Sequence, residues 1–182
     1  MAKPSEPARH EAGGHPFLTF VAALSTLAGW VASAMILAAV FITCQMIFIR
    51  FVLGGSTVWQ TEAVVYLVVA ATLVGLPYVQ RLRGHVSVDL LPLWLGRRGR
   101  RALAFVVLIL SIAVMGTMTF YGYEFWRFAF DRGWRSETIW AVRLWIPYLA
   151  IPVGFGLLLL QYAADLFALI IGGEPPAPSG GH

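Results

Sequence analysis

The chain has 182 residues, a formal net charge of +4 and a mean hydropathy of +0.75, with 59% hydrophobic and only 12% charged residues. Soluble domains carry about 25% charged residues, so this composition excludes a water-soluble globular protein. It predicts an all-α protein that crosses a membrane several times, and the single cysteine, Cys44, excludes an internal disulfide.

The first half of the chain predicts a polar tail and two membrane spans. Residues 1–16 are polar and mixed in charge, which predicts a disordered tail. Residues 17–49 contain no charged side chain. We place the first span near residues 28–48 and expect residues 17–27 to be tilted or to lie at the interface. A short loop leads to the second span, residues 59–80, which as a helix would rise about 33 Å and cross a bilayer core of about 30 Å.

The second half predicts a basic loop, two further spans and a second tail. Residues 81–101 contain six arginines and one acid around apolar positions, which predicts a short amphipathic segment in the headgroup plane. The third span is expected from about residue 102 to 120, followed by aromatic residues typical of a membrane interface. The fourth begins near residues 140–145 and ends near Ile171. The Gly- and Pro-rich residues 172–182 predict a disordered tail.

The four spans, residues 17–171, place both tails on one side of the membrane. That side carries eight lysines and arginines and the opposite side five, so the positive-inside rule predicts that both termini are cytoplasmic. The positive net charge is therefore interpreted as topology information and not as a nucleic-acid site. The eight are Lys3, Arg9 and the six arginines of residues 81–101, and the five are Arg50, Arg127, Arg132, Arg135 and Arg143.

Motifs for catalysis, metal binding or cofactor binding are absent from the sequence. There is no zinc-ligand spacing, phosphate-binding Gly-rich loop or nucleophile elbow, so we expect neither an enzyme nor a cofactor. An acid deep in the membrane usually marks an ion path, and the first three spans contain none. The fourth contains Gln161 and Asp165 only near its end. We therefore expect this chain not to be the unit that moves a solute.

Three patterns predict close helix packing, because small residues four apart let helix backbones approach. They are Gly29-x-x-x-Ser33, Ala34-x-x-x-Ala38 and Ala71-x-x-x-Gly75.

Charged residues at the outer boundary are candidates for subunit contacts. Arg50 and Glu62 flank the loop between the first two spans, where they can pair. Two interpretations remain open: anchoring at the interface, or a latch that joins the two spans or docks an outer partner. Arg132, Arg135 and Glu137 lie in the loop between the third and fourth spans, and they are candidates for electrostatic docking of an outer partner.

The residues around the second span carry a family resemblance. A boundary Trp59 and Glu62 precede the span, and after it the sequence reads Arg81-x-Arg83-Gly84-His85-Val86-x-Val88-Asp89-Leu90-Leu91. The last span opens with Leu144-Trp145-Ile146-Pro147-Tyr148, followed by Pro152-x-Gly154. Over roughly residues 41–162 the chain resembles the small, DctQ-type membrane subunit of tripartite ATP-independent periplasmic (TRAP) transporters. It departs from the family at Gln60-Thr61, where many relatives are expected to have a second acid, which argues against a paired-carboxylate role.

The resemblance implies a scaffold subunit that pairs with a large membrane subunit holding the solute and sodium sites. A periplasmic solute-binding protein would deliver a carboxylate, and a sodium gradient would drive transport in the bacterial inner membrane. The candidates for structural or subunit contacts are then Arg50, Trp59, Glu62, Arg81, Arg83, Gly84, His85 and Asp89. Two alternatives remain at this point: an autonomous exporter or channel built from several copies of the chain, and a membrane assembly factor.

Overall fold

A computed structural model of the chain describes residues 16–82 and 97–171. Within these ranges the backbone is helical, apart from short connections. The helices are α1 (Pro16–Val52), α2 (Val58–Arg81), α3 (Arg97–Asp131), α4 (Trp145–Tyr148) and α5 (Ala150–Ile171). Four segments are long and apolar enough to cross a membrane, with α4 and α5 together forming the fourth. The predicted all-α fold with four spans is therefore confirmed.

The first and third helices are longer than the sequence predicted. α1 is one continuous helix of 37 residues, which corresponds to about 55 Å, so residues 17–27 extend the predicted first span without a break. α3 begins at Arg97, inside the predicted basic loop, and has 35 residues. The remainder of the predicted amphipathic segment, residues 83–96, lies outside the described residues, as do residues 1–15 of the first predicted tail and the second predicted tail, residues 172–182. Residue 16, the last of the first predicted tail, is instead the first residue of α1.

The long helices pack in the order α1, α2, α5, α3, with α5 contacting both α2 and α3. The rings of Phe17 and Phe167 lie 5.8 Å apart, so the start of α1 and the last turns of α5 share one end of the bundle. We call this the terminal end, and it also holds Arg81. The opposite end holds Arg50 and Glu62, and we call it the loop end.

Small residues allow the closest helix contacts. A Cβ atom built at Gly29 of α1 would lie 2.6 Å from the Tyr78 ring of α2, and one built at Gly154 of α5 would lie 2.6 Å from the Leu73 carbonyl oxygen of α2. At Gly75 of α2, such an atom would lie 3.3 Å from the Cβ of Ala32. The patterns that contain Gly29 and Gly75 therefore lie at the α1–α2 contact.

The third predicted packing pattern does not lie at a helix contact within the described part of the chain. Ala34 and Ala38 are exposed, whereas Ala32 and Ala39 on the other side of α1 are buried. The sequence spacing alone could not distinguish these two sides.

Prolines shape the beginning of the fourth span. Leu149 separates α4 from α5, with Pro147 before it and Pro152 after it. Proline has no backbone N–H to donate and crowds the preceding turn, which accounts for an irregularity at this point. In α2, Pro77 is buried one turn before the helix ends at Arg81, where few helical hydrogen bonds are lost.

Candidate functional site

The connection between α3 and α4 folds into a short hairpin at the loop end. Ser136 N donates to Val142 O at 2.9 Å, and Leu144 N donates to Trp134 O at 2.9 Å. The turn closes with Ala141, whose φ of 47° lies in the left-handed region that a non-glycine residue rarely adopts. We call residues 134–144 the outer hairpin. The sequence predicted only a loop between the third and fourth spans, and these hydrogen bonds show that part of it has a defined backbone.

Glu62 of α2 binds this outer hairpin to the bundle. Thr138 Oγ1 donates to Glu62 Oε2 at 2.7 Å, and the hydroxyl of Ser136 donates to Glu62 Oε1. The Tyr66 hydroxyl, one turn further along α2, donates to the same Oε1 at 3.2 Å. A carboxylate that accepts three hydroxyl hydrogen bonds is a strong anchor, because hydrogen bonds to charged groups are about twice as strong as neutral ones. Glu62 therefore acts as the link between α2 and the hairpin.

This arrangement corrects the predicted pairing of Arg50 with Glu62. Arg50 is exposed in the last turn of α1. Among the described residues an ion pair joins Arg127 to Asp131 at 3.6 Å, but none joins Arg50 to Glu62. Both carboxylate oxygens of Glu62 are instead occupied by hydroxyl donors. The sequence correctly predicted that Arg50 and Glu62 lie at the same end of the bundle. It could not predict the hydroxyl groups that bind the Glu62 carboxylate in place of Arg50.

Aromatic side chains surround the outer hairpin. The ring of Trp59 lies 6.1 Å from that of Trp140, and Trp126 Nε1 donates to the backbone oxygen of Trp145 at 3.1 Å. Such rings with one polar edge are favoured at a membrane–water boundary. Trp59, a predicted structural residue, thus contacts the hairpin directly.

The three predicted docking residues are exposed on or beside the outer hairpin. Arg135 and Glu137 belong to the hairpin, and Arg132 precedes it with its guanidinium carbon 4.4 Å from the centre of the Phe128 ring. Between them and Trp140 stands Ile139, which is 94% exposed. The hairpin therefore presents charged side chains and one bare aliphatic side chain at the loop end.

A second polar group of residues joins three helices toward the terminal end. Ser25 Oγ of α1 donates to Gln161 Oε1 of α5 at 2.7 Å, and both residues are buried. Gln161 Nε2 donates to Asp165 Oδ1 at 3.0 Å, and Gln80 Nε2 of α2 approaches Asp165 Oδ2 at 3.5 Å. Ser25, Gln161, Asp165 and Gln80 thus form a polar network that connects α1, α5 and α2.

Two arginines close the terminal end. Arg81 Nη1 donates to the Ala22 carbonyl oxygen at 2.8 Å and also to the Thr26 hydroxyl, so it joins α2 to α1. Arg101 Nη2 donates to the Leu169 carbonyl oxygen at 3.2 Å, near the end of α5, where a positive charge complements the helix dipole. The other residues predicted beside Arg81, namely Arg83, Gly84, His85 and Asp89, lie outside the described part of the chain.

Sequence reasoning missed most of these contacts. Ser136 and Thr138 are more than seventy residues from Glu62 along the chain, and no local pattern relates them. The four-residue spacing of Gln161 and Asp165 was a usable signal, because it places both on one helix face. Gln60 is 2% exposed, and its Oε1 accepts no hydrogen bond from the described residues.

Within residues 16–82 and 97–171, no three His, Cys, Asp or Glu side chains gather around a common point. What this arrangement can do is hold helices in a fixed register. Polar contacts join separate elements at both ends, at the loop end through Glu62 and at the terminal end through Arg81 and Gln161.

Comparison with known proteins identifies the family. Residues 39–172 match the family model described as tripartite ATP-independent periplasmic transporters, DctQ component. The chain is 28% identical over 62% of its length to the ectoine TRAP transporter small permease protein TeaB of Halomonas elongata. It is 24% identical over 65% of its length to the C4-dicarboxylate TRAP transporter small permease protein DctQ of Pseudomonas aeruginosa. The alignments span 58% and 57% of these two relatives.

Proposed function

The chain belongs to the DctQ component family of tripartite ATP-independent periplasmic transporters, and we propose that it is the small membrane subunit of such a transporter in a bacterial inner membrane. In this proposal it is a scaffold for a large membrane subunit that carries the solute and sodium sites. A periplasmic solute-binding protein delivers the solute, and the sodium gradient drives uptake.

The observation that carries the scaffold role is that polar side chains inside the bundle bind neighbouring helices and the outer hairpin. Ser25, Gln80, Gln161 and Asp165 bind across three helices, and Glu62 binds the outer hairpin. Ionisable groups on a solute or ion path usually face a water-filled cavity or form a relay. Groups already satisfied by neighbouring helices favour a fixed support instead.

The relatives support a carboxylate as the solute class. One is named for ectoine and the other for C4-dicarboxylates, and both compounds carry carboxylate groups. Because the proposed solute site belongs to the large subunit, we expect substitutions in this chain to change the transport rate without changing which solute is preferred.

The outer hairpin is the proposed contact for the solute-binding protein. Arg132, Arg135 and Glu137 are exposed there, and exposed charges attract a complementary surface over about 8 Å at physiological ionic strength. Charge reversal at Arg132 and Arg135 together should slow docking of the binding protein, most strongly at low salt. Docking that does not depend on salt, measured by surface plasmon resonance on the complex in nanodiscs, would argue against this contact.

The orientation that we propose places the terminal end, with both termini, in the cytoplasm. The excess of arginine and lysine on that side supports it, and the outer hairpin then faces the periplasm. A single cysteine introduced at Arg135 into a Cys44→Ala background should react with a membrane-impermeant thiol reagent in intact spheroplasts. Labelling at Arg98 instead would reverse the orientation.

Deletion of this chain tests the proposed function. In cells that carry the whole transporter, removing the gene should abolish sodium-dependent uptake of the solute, and supplying the intact chain should restore it. The purified chain alone should transport nothing. Uptake that survives complete deletion would contradict the scaffold role, and uptake by the isolated chain would favour the autonomous exporter.

A further inference from the structure

One face of α1 is not covered by any described part of the chain. Residues at spacings of three, four and seven share a helix face, and Ala34, Ala38, Phe41, Gln45 and Phe48 follow such spacings. All five are exposed. Ala32 and Ala39 on the opposite side are buried against the rest of the bundle. We call these five residues the open face of α1.

Gln45 is an unusual residue for a face in contact with lipid. It lies five residues before Arg50, or about 7.5 Å deeper along the helix. Its side chain leans toward the N-terminus of α1, because helical Cα–Cβ bonds tilt that way, and so it leans away from the loop-end boundary. A glutamine at this place cannot reach the headgroups beside Arg50, as a longer lysine or arginine side chain could.

The amide of Gln45 has no hydrogen-bond partner among the described residues. Exposed threonine hydroxyls in other spans, by contrast, have such partners. Thr72 donates to the Val68 carbonyl oxygen at 2.8 Å, and Thr117 donates to the Ala113 carbonyl oxygen at 2.9 Å. A threonine hydroxyl is satisfied by its own helix in this way, so these two residues are compatible with lipid. The Gln45 amide has two donors and an acceptor, and acyl chains offer no partner for them.

We propose that the open face of α1 is the surface on which a transmembrane helix of the large membrane subunit packs. The partner helix presents a hydroxyl, amide or carbonyl group to Gln45, and the small side chains of Ala34 and Ala38 allow its backbone to approach. This inference rests on the proposed function. Phe41, Gln45 and Phe48 lie within residues 39–172, the region that matches the family, and Ala34 and Ala38 lie just before it.

The test uses the chain co-expressed with the large membrane subunit of its transporter. The photoreactive residue p-benzoylphenylalanine replaces Phe41 or Phe48 on the open face. As matched controls it replaces Leu110 or Val114, which are 64% and 44% exposed on α3. We expect the positions on α1 to cross-link to the large subunit after irradiation and the positions on α3 to give no such product. Cross-links to the large subunit from α3 and not from α1 would overturn the inference. Cross-links between two copies of this chain through Phe41 would also overturn it.

A second measurement isolates the hydrogen bond of Gln45. Gln45→Leu keeps the size of the side chain and makes it more apolar, so folding in the membrane is not at risk. Interhelical hydrogen bonds in membranes are worth about 0.6–1.7 kcal/mol, so the substitution should weaken association with the large subunit roughly 3- to 16-fold. Thr72→Val is the control and should leave association unchanged. Equal association of the wild type and Gln45→Leu would contradict the assigned contact.

The outcomes separate this inference from the proposed function. If the large subunit co-purifies with the wild-type chain but cross-links only from another face, the proposed function stands and the inference fails. If no large subunit associates with the wild-type chain, both fail.

Discussion

The close approach of α5 to the backbone of α2 at Gly154 makes the sharpest prediction about stability. Gly154→Ala adds a methyl group that would lie 2.6 Å from the Leu73 carbonyl oxygen and 2.7 Å from its carbonyl carbon, where ordinary contacts begin at 3.4 Å. Both atoms belong to the backbone of α2, so no side chain can rotate away. The α5 helix must retreat from α2, and overpacking of this kind costs about 1–3 kcal/mol. The unfolding equilibrium should therefore shift by roughly 5- to 140-fold.

Two other glycines provide controls for this substitution. A Cβ at Gly156, on the same helix, would meet its nearest neighbour at 3.8 Å, and one at Gly116 of α3 would meet nothing within 4 Å. Gly156→Ala and Gly116→Ala should range from neutral to about 1 kcal/mol more stable, because alanine favours the helix more than glycine does. Unfolding of each variant in mixed micelles of mild detergent and sodium dodecyl sulfate, followed by tryptophan fluorescence, measures the difference. If Gly154→Ala unfolds at the same fraction of sodium dodecyl sulfate as the two control variants, the close approach of α5 to α2 is refuted.

Three further predictions concern the polar contacts. Glu62→Ala should release the outer hairpin, residues 134–144, and increase its amide hydrogen exchange, while exchange in the core of α5 stays the same; unchanged exchange in the hairpin would show that Glu62 does not hold it. A double-mutant cycle with Ser25→Ala and Gln161→Leu should give a coupling energy of about 0.6–1.7 kcal/mol in the same unfolding assay, and additivity would contradict the buried hydrogen bond. Arg50→Ala should be additive with Glu62→Ala, because the two side chains do not pair; strong coupling would restore the ion pair expected from the sequence.

The four spans could be predicted because hydropathy and length are local properties of the chain. The sequence predicts the second span at residues 59–80, and α2 runs from Val58 to Arg81. The same reasoning predicts a first span shorter than α1. A bilayer needs only about 20 residues, and no signal in the sequence indicates that the helix continues beyond that length. α1 continues through all of residues 16–52, since neither a proline nor a charged residue interrupts it before its last turn.

The contacts of the polar residues could not be predicted, because they depend on which helices become neighbours. Glu62 accepts hydrogen bonds from Ser136 and Thr138. These two residues lie on a hairpin whose shape cannot be predicted from the sequence. Arg81 was predicted to lie at a membrane boundary, yet its contact with Thr26 requires α1 and α2 to be in register. Gln45 is one of the few polar residues within the predicted first span, residues 28–48. Only the packing of α1 shows that it points away from the bundle.

Flux through reconstituted vesicles tests the central claim, that this chain supports a transporter without forming the path itself. Liposomes would contain the purified chain alone, the large subunit alone, or both together, with the solute-binding protein outside and an inward sodium gradient. A panel of labelled carboxylates that includes succinate and ectoine would serve as probes. Sodium-driven uptake is expected only where both subunits are present. Uptake into vesicles that contain this chain alone would contradict the claim.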